Sequence, residues 1–169
     1  AIALVTSLFF LWALAHNLNP ILIPHLRKAL QLTDLRSALV DSAFFIAYFV
    51  MALPAGALMK RFGYKAGIVG GLLLFAMGTF LFWPAATLRS YPFFLSALFV
   101  IASGLTFLET AANPYISVLG DPASAPRRLN FAQAFNGLGA ALAAFLGGRF
   151  ILSGTALTNE EIQAMHPED

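Results

Sequence analysis

The segment AGIVGGLLLFAMGTFLFWP, residues 66–84, carries no charged side chain, and its polar and apolar residues do not alternate. A helix that crosses the roughly 30 Å hydrocarbon core of a bilayer needs about 20 apolar residues, whereas strands of a membrane barrel alternate in polarity. Only helices and closed barrels satisfy their backbone hydrogen bonds inside a membrane. The segment therefore predicts a transmembrane helix.

The rest of the chain has the same organisation. Charge-free stretches also cover residues 1–26, 42–59, 90–108 and 129–148, and Glu109 alone interrupts the third of these before residue 120. The pattern predicts an all-α membrane protein with five transmembrane helices, at about 3–30, 35–61, 65–87, 91–120 and 127–153. These helices form one bundle over residues 1–153, and their short connections predict antiparallel neighbours. The polar, acidic residues 154–169 are predicted to form an extracytoplasmic loop.

Composition excludes several functions. Of the 169 residues, 59% are apolar and 11% are charged, too few charges to cover a soluble protein, so a soluble enzyme is excluded. The net charge of +2 is dispersed, which excludes a nucleic-acid partner and leaves the lipid bilayer as the expected surroundings. The sequence contains no cysteine and no phosphate-binding, zinc-protease or paired-carboxylate motif. We therefore predict no enzymatic activity, cofactor or metal.

The connection between the second and third helices reads GALMKRFGYK, residues 56–65. It resembles the loop at the same place in transporters of the major facilitator superfamily. Gly56 is expected to let two helices approach closely, Gly63 to permit a tight turn, and Arg61 and Lys65 to hold this gating loop in cytoplasmic water. Lys60 departs from the pattern, because the superfamily usually has an aspartate there, and this puts the gate-closing ion pair of that loop in doubt.

Three further segments resemble the family of fucose:proton symporters and glucose/galactose transporters. They are NLNPILIPHL at 17–26, LETAANPY at 108–115 and NFAQAFNGLG at 130–139. The resemblance implies the amino-terminal six-helix bundle of a twelve-helix transporter, with a missing sixth helix and a missing carboxy-terminal half. It also implies a cytoplasmic N-terminus in the bacterial inner membrane, an orientation that the Lys and Arg counts of the loops, five against five, leave open.

Glu109 is the first candidate for function. It lies 11 residues before Gly120, about 16 Å along the predicted helix and so near the middle of the bilayer. An ionisable group at that depth is costly and its apolar surroundings favour the neutral acid, so protonation can be coupled to binding nearby. The alternative is a permanently neutral, structural glutamic acid. In the family that it resembles, the carboxylate at this position is the protonation site.

Carboxamides are the second group of candidates. Asn113 shares a helix face with Glu109, and Gln133 and Asn136 share a face of the fifth helix. Amides offer hydrogen-bond donors and acceptors that suit sugar hydroxyls, although they also join helices in membranes. Asn17 and Asn19 lie where Pro20 and Pro24 are expected to break the first helix, and broken helices form binding sites in transporters. Trp12 is a candidate platform for a sugar ring, with helix packing as its alternative.

The proton-coupled fucose carrier has an aspartate where this chain has Pro20. His16, one turn earlier, is the other titratable group at that depth, and its ordinary pKa near 6.5 suits a proton relay. A neutral histidine hydrogen-bonded between helices is the alternative. The glycines Gly67, Gly71, Gly137, Gly139, Gly147 and Gly148 are expected at close helix contacts rather than at a ligand.

The resemblance implies alternating-access symport of a proton with a hexose or deoxyhexose of the fucose, glucose or galactose type. Two alternatives stay open at this stage. One is a sugar uniporter, which the missing aspartate would suit. The other is a membrane assembly module without transport activity, in which the buried polar groups only join helices.

Overall fold

The computed structural model describes residues 1–29, 33–88 and 90–151. Five α-helices follow one another: α1 at Ile2–Ala29, α2 at Asp34–Phe62, α3 at Tyr64–Thr87, α4 at Tyr91–Val118 and α5 at Ala125–Leu146. A 3-10 turn, Pro122–Ser124, precedes α5, and a π-helical turn, Gly147–Ile151, follows it. Residues 152–169, which contain the predicted end of the fifth helix and the predicted loop, lie outside the described residues.

The outer surface of the bundle suits lipid. Four helical stretches are long and apolar enough to cross a membrane, Ala38–Phe62, Tyr64–Ala85, Tyr91–Val118 and Pro122–Ile151, and α1 contributes the shorter apolar stretch Ile2–Leu18. Large apolar side chains such as Phe49 and Leu53 are more than four-fifths exposed. Such a surface would drive aggregation in water but is the normal exterior of a protein in hydrocarbon.

Contacts between helices give their relative directions. Along α3 and α4 the contacts run in opposite order, because Gly67 lies against Ala111 whereas Gly78 lies against Ile101. These two helices are therefore antiparallel. The turn between α2 and α3 is equally tight: the single residue between them, Gly63, has φ +81°, a conformation that glycine adopts without strain.

The first and fifth helices run in the same direction. Gly139 lies against Ala13, and eight residues later Gly147 lies against Ile21. The parallel arrangement of α1 and α5 is what a chain that reverses direction at each connection produces. It brings two helices that are distant in sequence into close contact along their length.

Helix α4 lies at the centre of the bundle and packs against all four other helices. Its residues 102–108 are all buried. Small residues make this possible, because a Cβ atom at Gly104 would lie 2.5 Å from the backbone nitrogen of Phe75 and 2.7 Å from the carbonyl oxygen of Gly71. Without a hydrophobic force between helices in lipid, such close backbone packing is a main source of association.

The structure corrects several expectations about individual residues. Helix α1 continues through Pro20 and Pro24, so the prediction of a break is wrong; proline removes one backbone hydrogen bond but membrane helices tolerate that loss. A Cβ at Gly56, Gly137 or Gly148 would meet nothing within 4 Å among the described residues. The expectation of close helix packing at these three glycines is therefore wrong within this bundle. At each of them, the position that a Cβ atom would occupy faces away from the neighbouring helices.

Arg128 joins the start of α5 to the end of α4. Its Nε donates to the carbonyl of Ile116 at 3.2 Å and its Nη2 to that of Ser117 at 2.8 Å. Its Nη1 donates to the Asp121 carbonyl at 2.9 Å and to the Ser124 hydroxyl. The last carbonyls of a helix lack donors within the helix, so one guanidinium satisfies several acceptors at once.

We predict that Gly104→Ala lowers the free energy of unfolding by about 1–3 kcal/mol, because the methyl group would press on backbone atoms that cannot rotate away. Thermal unfolding of the protein in detergent measures the effect. Gly70→Ala is the control, since its Cβ would lie 3.5 Å from Leu58, an ordinary contact distance. Equal melting temperatures for the two variants would contradict the close packing of α3 on α4.

We also predict that Arg128→Lys lowers the free energy of unfolding by about 1–3 kcal/mol, because a lysine cannot reach all four acceptors and leaves carbonyls without donors. The neighbouring Arg127 is exposed and donates no hydrogen bond among the described residues. Arg127→Lys should therefore leave thermal unfolding unchanged. If both substitutions have the same effect, the hydrogen bonds of Arg128 contribute nothing specific.

Candidate functional site

A cavity of about 200 Å³ lies between α1, α4 and α5. Its lining combines two aromatic rings, three carboxamides and one carboxyl group, and consists of Trp12, Ala13, His16, Asn17, Glu109, Gln133 and Asn136. Six of these seven residues are candidates from the sequence. Tertiary packing thus gathers polar groups from three helices into one small space.

The close contact of α1 with α5 positions this cavity. A Cβ at Gly139 would lie 3.1 Å from the Cβ of Ala13 and 3.2 Å from the backbone nitrogen of Leu14. The missing side chain lets the two helices approach, and Gln133 and Asn136, on the two preceding turns of α5, then face the polar residues of α1. A larger residue at position 139 would push α5 away from the site.

Glu109 follows directly after the buried run of α4 and is half-buried at the cavity. Its neighbours Leu108, Ala111 and Ala112 are buried in the apolar core. The carboxyl group lies beside the hydroxyl of Tyr48 from α2. Among the described residues that line the cavity, Glu109 thus has the only carboxyl group, with a polar neighbour on one side and the cavity on the other.

His16 connects α1 to α2. Its Nδ1 is 3.3 Å from the Tyr48 hydroxyl, and its ring packs edge-on against Phe44 and Tyr48, with centroids 5.5 Å and 5.9 Å away. This is the hydrogen bond between helices that the structural alternative for His16 describes, yet His16 also lines the cavity. The geometry therefore accommodates both interpretations.

The sequence analysis missed Tyr48. The signal was available, because Tyr48 places a phenol hydroxyl in the middle of the charge-free stretch 42–59, whereas tyrosines of membrane helices are enriched at the two interfaces. A tyrosine at mid-membrane depth needs a polar partner. Two candidates that the sequence did identify, His16 and Glu109, lie beside it.

The carboxamides differ in how much of their hydrogen-bonding capacity is free. Asn113 donates to the backbone carbonyl of Glu109 at 3.1 Å and accepts from Gln133 Nε2 at 3.1 Å. Asn17 donates to the carbonyl of Ala13 at 2.8 Å, which leaves its side-chain oxygen available. Asn136 makes no side-chain hydrogen bond to any described residue and so presents its whole amide to the cavity.

Asn113 and the residues of the gating loop do not line the cavity. Asn113 uses its amide within the protein and does not line the cavity, so it holds Gln133 in place across α4 and α5. The side chain of Asn19 lies outside the described part of the chain. The gating loop, with Gly56, Arg61, Gly63 and Lys65, surrounds the α2–α3 turn and is also absent from the lining.

Trp12 lines the cavity but is otherwise buried, with 7% of its surface exposed, and its ring packs on Phe9 at 5.4 Å between centroids. Among the described residues, no three His, Asp or Glu side chains come together as a metal would require. The cavity therefore offers hydrogen bonds from amides, one carboxyl group, one imidazole and an aromatic surface. These groups suit a small neutral molecule with many hydroxyl groups. The titratable groups can in addition bind and release a proton.

Comparison with known sequences identifies the family. The profile of the Major Facilitator Superfamily matches residues 3–157, which is most of the chain. The chain belongs to the major facilitator superfamily. The family consists of integral membrane transporters, so the predictions of a membrane protein and of no enzymatic activity are confirmed.

Two relatives show which transporters of the superfamily the chain is similar to. The chain is 50% identical to the L-fucose-proton symporter of Escherichia coli over 98% of its own length and 38% of the symporter. It is also 50% identical to a glucose/galactose transporter of Brucella abortus over 98% of its length and 40% of that protein. The predicted resemblance to this family is confirmed. The chain thus spans about two-fifths of the relatives' length.

A solved structure agrees with the fold. The crystal structure of a major facilitator transporter, FucP, in the outward conformation matches 98% of this chain with a TM-score of 0.84 and 49% identity. The match covers 40% of that transporter. The prediction of an amino-terminal major-facilitator helix bundle is therefore confirmed.

Proposed function

We propose that this chain is the amino-terminal part of a sugar transporter that carries a hexose or deoxyhexose together with a proton by alternating access. The cavity is the observation that carries the proposal. It brings together Glu109 and Asn136, whose amide makes no hydrogen bond to any described residue. The chain is also 50% identical to a fucose-proton symporter over 98% of its own length. The missing partner is the carboxy-terminal half. The proposal includes a bacterial inner membrane and a cytoplasmic N-terminus, both of which the resemblance implies.

The chemistry of the cavity supports a sugar as substrate. A sugar hydroxyl both donates and accepts hydrogen bonds, and an amide does the same through two different atoms. Asn136 makes no side-chain hydrogen bond to a described residue, and Gln133 is held by Asn113 through its nitrogen, while its oxygen has no partner in the described part of the chain. Trp12 adds an apolar edge against which the carbon face of a sugar ring can pack. Under this proposal, substrate binding uses Trp12, Asn17, Gln133 and Asn136.

The position of Glu109 supports coupling to protons. A carboxyl group that lies in a small cavity inside a membrane protein changes its charge only at considerable cost, so its protonation state and the occupancy of the cavity influence each other. Loading of the proton and of the sugar then favour the same conformation. Under this proposal, Glu109 is the protonation site, and His16 is a second titratable group in the same cavity.

One observation favours a second candidate function. Pro20 stands where the fucose carrier that the chain resembles has an aspartate, so one carboxylate of that carrier is missing here. A uniporter, which moves sugar only down its gradient, needs no such group. Accumulation of sugar driven by a pH gradient distinguishes the two functions, since only a symporter concentrates sugar against its own gradient.

For the complete transporter in proteoliposomes, we predict that Glu109→Gln abolishes accumulation driven by a proton gradient and retains sugar exchange. Glutamine imitates the protonated acid, so the loaded conformations remain accessible while proton release is lost. Asp41→Asn is the control, because this α2 carboxyl group is exposed and outside the cavity lining. His16→Asn should have a smaller effect. Uphill accumulation by the Glu109→Gln variant would make Glu109 structural, and a parent without pH-driven accumulation would be a uniporter.

We further predict that Asn136→Ala weakens sugar binding by about 1–3 kcal/mol, because substrate hydroxyls lose a hydrogen-bond partner in the cavity. Calorimetric titration of the purified transporter with L-fucose, D-glucose and D-galactose measures the change. Asn130→Ala is the matched control on the same helix, since Asn130 is exposed and does not line the cavity. Unchanged affinity in Asn136→Ala would assign the amide to helix packing.

A further inference from the structure

Tyr48 has a hydroxyl group between two titratable side chains from two other helices. The hydroxyl lies 3.3 Å from Nδ1 of His16 on α1 and beside the carboxyl group of Glu109 on α4. Its ring is fixed by contacts with Phe44 at 5.5 Å and with His16 at 5.9 Å between centroids. Tyr48 itself does not line the cavity, whereas His16 and Glu109 both do.

The number of protons restricts how these three groups can bond. A phenol has one proton to donate, and a neutral imidazole carries its proton on one nitrogen and accepts with the other. When Glu109 is ionised, the strongest arrangement has Tyr48 donating to the carboxylate, because charge-assisted hydrogen bonds are about twice as strong as neutral ones. The Tyr48 oxygen then accepts from Nδ1–H of His16, and Nε2 is without a proton.

Protonation of Glu109 reverses both hydrogen bonds. The neutral acid donates to the Tyr48 oxygen, Tyr48 donates to Nδ1 of His16, and the histidine proton then resides on Nε2. Nε2 makes no hydrogen bond to any described residue, and His16 lines the cavity. The charge of Glu109 thus determines whether His16 presents an acceptor or a donor there.

We propose that Tyr48 bridges Glu109 and His16, so that a proton entering from the cavity at His16 reaches Glu109 through the Tyr48 hydroxyl. The step balances. A proton binds Nε2, the Nδ1 proton passes to the Tyr48 oxygen, and the original Tyr48 proton passes to the Glu109 carboxylate. One proton enters, one carboxylate becomes neutral, and histidine and tyrosine end neutral with their hydrogen bonds reversed. This inference rests on the proposed proton coupling and adds a route to it.

One further hydrogen-bonding group lies beside the Tyr48 hydroxyl, the indole of Trp12 from α1. An indole N–H only donates, so it occupies one acceptor position of the phenol oxygen in both arrangements. Among the described residues, α5 brings only the neutral amides of Gln133 and Asn136 to the cavity, and α3 brings no residue to its lining. The charged groups that face Tyr48 are therefore His16 from α1 and Glu109 from α4.

The tautomer of His16 tests the bridge without any transport assay. In the complete transporter labelled with ¹⁵N-histidine, the His16 signals are compared at a pH where Glu109 is ionised. We expect Glu109→Gln to convert His16 from the Nδ1–H to the Nε2–H tautomer, and we expect no conversion when Tyr48→Phe is also present. The inference would be overturned if Glu109→Gln leaves the His16 tautomer unchanged. It would also be overturned if Glu109→Gln still changes the tautomer when Tyr48→Phe is present.

Transport kinetics give the second readout. In proteoliposomes, Tyr48→Phe should slow proton-driven sugar accumulation at least tenfold and leave sugar exchange within twofold of the parent, because only the proton route is interrupted. Tyr115→Phe is the control, since this α4 tyrosine packs on Tyr64 away from the cavity lining. The variant with both Tyr48→Phe and His16→Asn should be no slower than Tyr48→Phe alone.

Other results of the transport assays distinguish a failure of the Tyr48 bridge from a failure of the proposed symport. Equal losses of accumulation and exchange in Tyr48→Phe, or multiplied losses in the double variant, would overturn the bridge and make Tyr48 a packing residue. A parent transporter that exchanges sugar but shows no pH-driven accumulation would overturn the proposed symport. In that case the tautomer measurement still decides whether Tyr48 connects the two residues.

Discussion

The close backbone contact of α4 with α3 is the constraint on which the arrangement of this bundle depends. At Gly104 and Gly71 the two helices approach to a distance that excludes even a methyl group. Lipid provides no hydrophobic force to hold helices together, so association depends on dense packing of this kind. Because α4 can come so close to its neighbours, it occupies the centre of the bundle. Glu109 on α4 therefore lies where α1, α2 and α5 also meet.

The same principle places the polar groups opposite Glu109. Gly139 lets α5 lie against the backbone of α1, and this contact brings Asn136 and Gln133 to the side of the cavity that faces Glu109 and His16. Polar side chains in a membrane are expensive unless they find partners. Here some are satisfied within the protein, as Asn113 is by Gln133, and others keep free donors and acceptors. A ligand can use only the second kind, so the free groups indicate where it binds.

Neutral amides and titratable groups have different tasks in the proposed mechanism. Amides keep their hydrogen-bonding character at every pH, which suits constant recognition of hydroxyl groups. Glu109 and His16 change their hydrogen bonding with the arrival of a proton, and the Tyr48 hydroxyl lies between them. A cavity that contains both kinds of group can respond to the proton without losing its affinity for a polyhydroxylated substrate. Under the proposed function, this division of tasks lets a single small site bind both the sugar and the proton.

The sequence by itself determined the five helices, because each helix forms its backbone hydrogen bonds within its own segment and the length of each apolar stretch is a local property. The depth of Glu109 in the bilayer stays a prediction from the sequence. The sequence also identified most of the polar residues of the cavity, since polar groups are conspicuous in apolar stretches. It could not separate Gly71, which packs on α4, from Gly56, which contacts no neighbouring helix among the described residues. Nor could it distinguish the occupied amide of Asn113 from the free amide of Asn136, or find Tyr48. These properties depend on how each helix is rotated toward its neighbours, and contacts between distant segments decide that rotation.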